Sequence, residues 1–253
     1  MVAKPLTGEQ IEELKGLGET HFWPHSRPTG DMSDDTGIKL VTHSKGIWVE
    51  GPTGERHVDL IAGMWLKNIG HGRKEIADAV YEQMLDVSYS PGGTVAPATV
   101  KLASKVASLT PDPDSRVYFV SGGSEAVETA IKMAKKYQYN IGERGRWKVI
   151  SRQNSYHGAT HLCMSLGFNH VNRPNDYGPL VPGNIRISNP GLTYRTMPGD
   201  WDMQYAYDLE KAIIDEGPDS IAAFIGEPIS AASGIHIPPV SYTHLTLPTI
   251  LLV

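Results

Sequence analysis

A single cysteine, Cys163, stands in the 253 residues of the chain, so no internal disulfide framework is available to staple it. That scarcity fits a reducing compartment, and Cys163, between Leu162 and Met164, reads as inert apolar packing. No apolar run approaches the roughly 20 residues needed to cross a bilayer, so no membrane is expected as a partner. The first residues, Met1-Val2-Ala3-Lys4-Pro5 and then Gly8-Glu9-Gln10, lack the apolar core of a secretory signal. Positive charge is not in excess either. The net charge is −5 with both signs mixed along the chain, which argues against nucleic acid as the main partner. No internal repeat or low-complexity segment interrupts the body of the chain. At 40% hydrophobic and 20% charged, the composition is that of an ordinary globular protein. The length allows one sizeable domain or two small ones. The expectation is a cytoplasmic enzyme.

Periodicity organises the chain. Thr7 to Leu17 predicts a helix capped at Thr7, with Ile11, Leu14 and Leu17 at helical spacing. Gly46–Glu50 and Arg56–Leu60 flank Gly51-Pro52-Thr53-Gly54, which is a hairpin pattern. Helices are expected around Lys74–Leu85 and Ala96–Leu109. Beyond Pro111, strands alternate with helices. Arg116–Val120 reads as a buried strand, followed by a helix from Glu125 to Tyr137 and a strand at Trp147–Ile150. Two more strands, Ile185–Ile187 and Ile221–Ile225, enclose a helix from Met203 to Glu216. Such alternation predicts an α/β fold, a mostly parallel sheet with helices on both faces.

Two motifs suggest chemistry. In Phe119-Val120-Ser121-Gly122-Gly123-Ser124-Glu125-Ala126, a strand meets a helix through consecutive glycines. Glycines let the backbone approach a ligand, and the helix start adds unpaired N–H groups and partial positive charge, typically worth about 0.3–2 kcal/mol for a nearby anion. Ser124 adds a hydroxyl at that end, so the whole can cradle a phosphate ester. It is not a Walker loop, because no Lys-Ser/Thr pair follows, and it lacks the third glycine of the dinucleotide fingerprint. Gly122-Gly123-Ser124-Glu125-Ala126 also loosely mimics a hydrolase nucleophile elbow, with Ser124 as nucleophile and Glu227 and His236 as partners. Glycine is wanted there where Ala126 stands. The second motif, Ser155-Tyr156-His157-Gly158-Ala159-Thr160, follows the Val149-Ile150 strand, at the sheet edge where open α/β folds bind ligands. The ring of Tyr156 suits stacking on a heteroaromatic ligand. His157 and His161 have neither an adjacent Glu nor a third ligand, so no metal site is expected.

Taken together, the Ser-Gly-Gly-Ser-Glu-Ala run, the Tyr-His-Gly run, Ile225-Gly226-Glu227-Pro228-Ile229 leading to Gly234–Pro239, and Asp59-Leu60-Ile61-Ala62-Gly63-Met64-Trp65 with Asn68–Gly72 resemble class III aminotransferases in order and spacing. The likeness covers about Gly46 to Pro239. It implies fold type I, an enzyme that moves an amino group from an amine or ω-amino acid to a keto acid such as pyruvate, and the cofactor pyridoxal 5'-phosphate (PLP). It also implies small-molecule amine and keto-acid substrates and a homodimer. By resemblance, Gly123 and Ser124 hold the cofactor phosphate, Tyr156 stacks on the ring, His157 supports it, Glu227 lies beside it, and Trp65 shapes the donor pocket. Residues 1–69 would be an N-terminal segment of the small domain, and 70–239 an incomplete PLP-binding large domain. The alternatives are an aminomutase or decarboxylase of the same class, or the serine hydrolase using Ser124.

Transamination also needs a lysine that binds the cofactor covalently and shuttles the proton, and an acid that keeps the ring nitrogen protonated. By resemblance both would follow Pro239. Lys132, Lys135 and Lys136 fall on the helix after the phosphate loop, where a solvated face is the plain expectation. No catalytic residue is therefore assigned, and the chain is expected to be an inactive fragment. Residues 240–253 have no charged side chain but one histidine, show no periodicity and resemble translated adaptor sequence. They are expected to be a cloning or assembly artefact.

Overall fold

The computed structural model describes residues 5–24, 39–167, 177–189, 203–232, 234–240 and 242. The chain divides into two compact units, Met1–Lys101 and Leu102–Val253.

The first unit opens with helix α1, Gly8–His21, which starts where Thr7 predicts. The Thr7 hydroxyl accepts from the Gln10 amide and the Gln10 side chain accepts from the Thr7 amide, so Thr-Gly-Glu-Gln is a complete capping box. Strands β1 (His43–Lys45), β2 (Trp48–Glu50) and β3 (Arg56–Val58) form an antiparallel sheet in that order. Gly46, at φ +59°, supplies the positive φ of the two-residue turn between β1 and β2. Strand β1 is too short to be read from sequence. Helix α2 spans Lys74–Asp86, and α3, Pro97–Ala107, crosses the division. Very little of the first unit is buried: among its described residues only Pro24 and Gly51 are.

In the second unit, helix α4 (Gly123–Asn140) precedes β4 (Lys148–Arg152) and the short helix α5 (His161–Leu166). Strand β5 (Asn184–Ile187), helix α6 (Gln204–Glu216) and β6 (Ile221–Phe224) follow. All three strands are parallel, in the order β5-β4-β6, and Val149–Arg152 of the central strand is buried throughout. Ile131, Val149 and Leu166 form the core, with Val127, Leu162 and Ile225 packed on it. Fully burying an aliphatic side chain contributes about 1.5–3 kcal/mol, so this cluster is what fixes α4 and α5 against the sheet.

One expectation fails. Arg116–Val120 joins no ladder among the described residues, and Tyr118 and Phe119 are 68% and 44% exposed. Its apolar composition suits a strand, but β5 and β6 each keep an outer edge to which it does not pair among the described residues.

Candidate functional site

The sequence motifs of the second unit meet at one edge of its sheet. The loop Ser155–Ala159 leaves the C-terminal end of β4, and Glu227 follows the C-terminal end of β6, its parallel neighbour. The start of α4 brings Gly123 and Ser124. Three hydrogen bonds tie these pieces. The Ala159 amide donates to Ser124 Oγ at 3.0 Å, and the Tyr156 amide donates to Glu227 Oε2 at 3.1 Å. Arg152 Nη1 donates to the Glu227 carbonyl at 3.0 Å. Gly158 is required where it stands. Its φ is +126°, and a Cβ there would lie 2.5 Å from Ser124 Oγ. Above Gly122 and Gly123 the space is open, with no heavy atom within 4 Å of where a side chain would sit.

The electrostatics follow from burial. His157 is 8% exposed, and burial first, then the Arg152 charge, push its imidazole down to about 4. It is neutral at pH 7, and its Nε2 has no hydrogen-bond partner among the described residues. Arg152, 3% exposed, stays charged although burial lowers its pKa. Cys163 is fully buried and donates weakly to the Ser124 carbonyl, and burial raises its thiol pKa, as suits a packing role. The first amides of α4 have no intrahelical acceptor. Ser124 Oγ already accepts from Ala159, so its own hydrogen is available to donate. The arrangement therefore suits a phosphate ester at the helix start with an aromatic ring against Tyr156, which is 42% exposed. Among the described residues no hydrogen bond joins Ser124 to Glu227 or His236, so the elbow geometry of a hydrolase is not assembled.

Comparison with known proteins resolves what the geometry leaves general. The aminotransferase class-III family model matches residues 31–246. The chain belongs to the class III aminotransferases. It is 31% identical over 245 residues to a putrescine–pyruvate aminotransferase of Pseudomonas aeruginosa, covering 94% of this chain and 53% of that protein. Among solved structures, a Bacillus anthracis aminotransferase superposes with a TM-score of 0.88 at 31% identity, covering 98% of this chain and 54% of that one. A PLP-bound amine transaminase from an uncultivated Pseudomonas species gives 0.76 at 31% identity, covering 88% and 51%. The chain spans about half the length of the curated relatives it matches. Class III aminotransferases are PLP enzymes of fold type I, and the parallel α/β sheet of this chain is of that fold.

The fourth motif of this class III chain, Asp59–Trp65, lies in the first unit and was not legible as a conformation. Ala62–Trp65 closes a helical turn, with Trp65 N bonded to Ile61 O and Leu66 N to Ala62 O, both at 2.9 Å. Its φ values are +47°, +60°, +62° and +66°, so the turn is left-handed. That conformation costs about 1–2 kcal/mol at each residue other than glycine, and only Gly63 is exempt. Trp65 sits at the end of this turn, 69% exposed. Beneath it the Asp59 carboxylate accepts from the Gly63 amide at 2.7 Å and the Ile61 amide at 3.3 Å, and meets His71 Nε2 at 2.8 Å. The His71 contact, with these amides, holds the carboxyl below its usual range. Sequence reasoning missed Asp59, His71 and Arg152. An Asp four residues before a Gly, and a cation closing a buried strand, were the available signals.

Among the described residues no helix is long and apolar enough to cross a membrane, and no three His, Cys, Asp or Glu side chains cluster as a metal site would require. Of the expected tail, Val240 and Tyr242 are described and the rest lies outside the described residues. Tyr242 is fully buried, its hydroxyl 2.6 Å from Arg152 Nη2 and its ring edge-on to Tyr205.

Proposed function

We propose that this chain is the cofactor-binding front half of a cytoplasmic, homodimeric aminotransferase that moves an amino group from an amine or ω-amino acid to pyruvate. The observation that carries the reading is the pairing of Ser124 with Ala159 and of Glu227 with the Tyr156 amide. These put an anion donor, an aromatic platform and a carboxylate at one sheet edge. The amides of Gly123 and Ser124 and the Ser124 hydroxyl hold the phosphate of PLP. Tyr156 stacks on its ring, buried neutral His157 supports that loop, and Glu227 lies beside the ring. Bound there, PLP supplies the electron sink for the carbanion of transamination. Trp65 borders the donor pocket. Two similar proteins are named for putrescine and β-alanine as donors and pyruvate as acceptor, which supports the ω-amino class.

Residues 1–69 correspond, on this reading, to the small-domain segment and 70–239 to the large domain. Residues 240–253 are read, from their charge-poor composition, as a non-native tail, while the family match extends to residue 246. Lys132, Lys135 and Lys136 lie along α4 rather than at the cluster, so no catalytic residue is assigned in this chain.

Sequencing the source locus through the codon for Pro239 and expressing the continuous frame tests the whole reading. The expected product, given PLP, pyruvate and putrescine or β-alanine, is alanine. Carbon dioxide release without alanine would point to the decarboxylase alternative, and labelling of Ser124 by a fluorophosphonate to the hydrolase. The present chain, treated with PLP and borohydride, is expected to keep no cofactor mass after denaturation.

A further inference from the structure

The first unit carries a strained turn with very little buried beside it. Leu60, Met64, Trp65 and Leu66 are all exposed, so no apolar core holds the turn in place. What holds it is a short chain of polar contacts. Asp59 bonds two amides of the turn and His71. His71 in turn is fixed by a double backbone pairing with Gly46, at 2.9 and 2.8 Å, and the Asp59 amide donates to the adjacent Ile47 carbonyl at 2.8 Å. Both members of the pair are thus anchored on the same hairpin bend. The glycines fit this close approach. A Cβ at Gly70 would lie 3.2 Å from the Gly46 carbonyl oxygen, and one at Gly72 3.0 Å from that of Ser44. Gly63 would meet Lys67 Cγ at 3.1 Å.

We propose that Asp59 and His71 are a positioning pair that holds the left-handed turn Ala62–Trp65 and so fixes where the indole of Trp65 meets the amino donor. The inference rests on the reading of Trp65 as a residue of the donor pocket. The two acceptor bonds of the Asp59 carboxylate, to the Ile61 and Gly63 amides, select the backbone conformation of the segment that carries Trp65. Here the side chain of Asp59 bonds the Ile61 and Gly63 amides and, among the described residues, also His71, itself tied to the bend.

The test uses the full-length holoenzyme and reads two quantities. Hydrogen exchange followed by mass spectrometry on the 59–67 peptide reports the turn. The ratio of kcat/KM for a linear ω-amino acid to that for a branched aryl amine reports the pocket, with PLP absorbance as the control for an intact cofactor site. Asp59→Ala is expected to speed exchange of the Gly63 amide at least tenfold and to move the selectivity ratio, mainly through KM, toward that of Trp65→Leu. Asp59→Asn, which keeps an acceptor for that amide, is expected to restore most of both. Should Asp59→Ala fail to fold, Ala62→Gly with Met64→Gly in the same background relieves two of the three strained positions and lets the same faster exchange and shifted ratio be read. Unchanged exchange in Asp59→Ala overturns the proposal. Faster exchange with an unchanged ratio, in an enzyme whose ratio Trp65→Leu does alter, overturns it as well. If Trp65→Leu itself leaves the ratio unaltered, the pocket reading of Trp65 has failed, and the role proposed for the pair falls with it.

Discussion

In the second unit the loop bearing Tyr156 and His157 leaves strand β4, which lies in the buried core with Val149 and Leu166 at zero exposure and Ile131 at 4%. In the first unit the turn bearing Trp65 rests on the Asp59 carboxylate at an otherwise exposed surface. Both arrangements place a ring at a loop. The first does so by volume: helix α4 and the Tyr-His-Gly loop touch so closely that Gly158 has no room for a methyl group. The second does so by direction, since hydrogen bonds select one backbone conformation among those that an exposed loop would sample. Packing gives a site that fails through steric change, and polar anchoring gives one that fails through loss of a single acceptor.

Substitutions can separate the two means. The largest effect is expected for Gly158→Ala, which adds a Cβ 2.5 Å from Ser124 Oγ at a positive φ. A loss of about 2–4 kcal/mol in chemical denaturation is expected, with cofactor binding abolished. Next comes Ser124→Ala, which releases the Ala159 amide and one donor to the phosphate. Hydrogen bonds to charged groups are worth about 1.5–3 kcal/mol, so PLP affinity measured by titration should weaken on the order of 10- to 100-fold. A wild-type affinity in that variant would remove Ser124 from the phosphate site.

Smaller still is a pH effect. His157 has a folded pKa of about 4, below its unfolded value near 6.5, so the unfolded state binds the extra proton first. Stability should therefore be whole above pH 6.5 and fall as pH drops toward 4, by at most about 1.4 kcal/mol per unit. His157→Gln should flatten that slope in denaturation curves taken across the window. The smallest effect belongs to the exposed turn. Ala62→Gly relieves a φ of +47° but frees the unfolded chain, so a net gain below about 1 kcal/mol is expected. A clear loss of stability would mean that the left-handed turn carries no strain to relieve.

How much of this was legible in the sequence depended on the range of the interaction. The Thr7 capping box and helices α1 to α4 were readable because their signals lie within a turn or two of the chain. The phosphate cradle at Gly123-Ser124 was readable for the same reason, strand, glycines and helix being contiguous. Arg116–Val120 misled because composition reports a wish for burial, while pairing to a ladder is decided by distant chain segments that no local pattern names. The bond from Tyr156 to Glu227 joins residues 71 apart, and no local pattern announces it. Arg152 fell outside the strand read at Trp147–Ile150, although its guanidinium links β4 to the carbonyl of Glu227. The left-handed turn was hidden most completely, because Ile61-Ala62-Gly63-Met64-Trp65 holds only one glycine and would suit an ordinary loop.

The bend at Gly46-Ile47 has a consequence for the order of assembly. It receives both Asp59 and His71, so the loop that carries Trp65 closes through contacts between chain segments that are near neighbours in sequence. Closing a loop of roughly ten residues takes about 10–100 ns, whereas parallel pairing of distant strands is intrinsically slow. Strand β4 must wait for β6, which is translated long after it and reaches it only through α6. The donor-side turn is therefore expected to be in place while the cofactor-side sheet is still assembling. Pulse-labelled exchange during refolding would show the Gly63 amide protected ahead of those of β4.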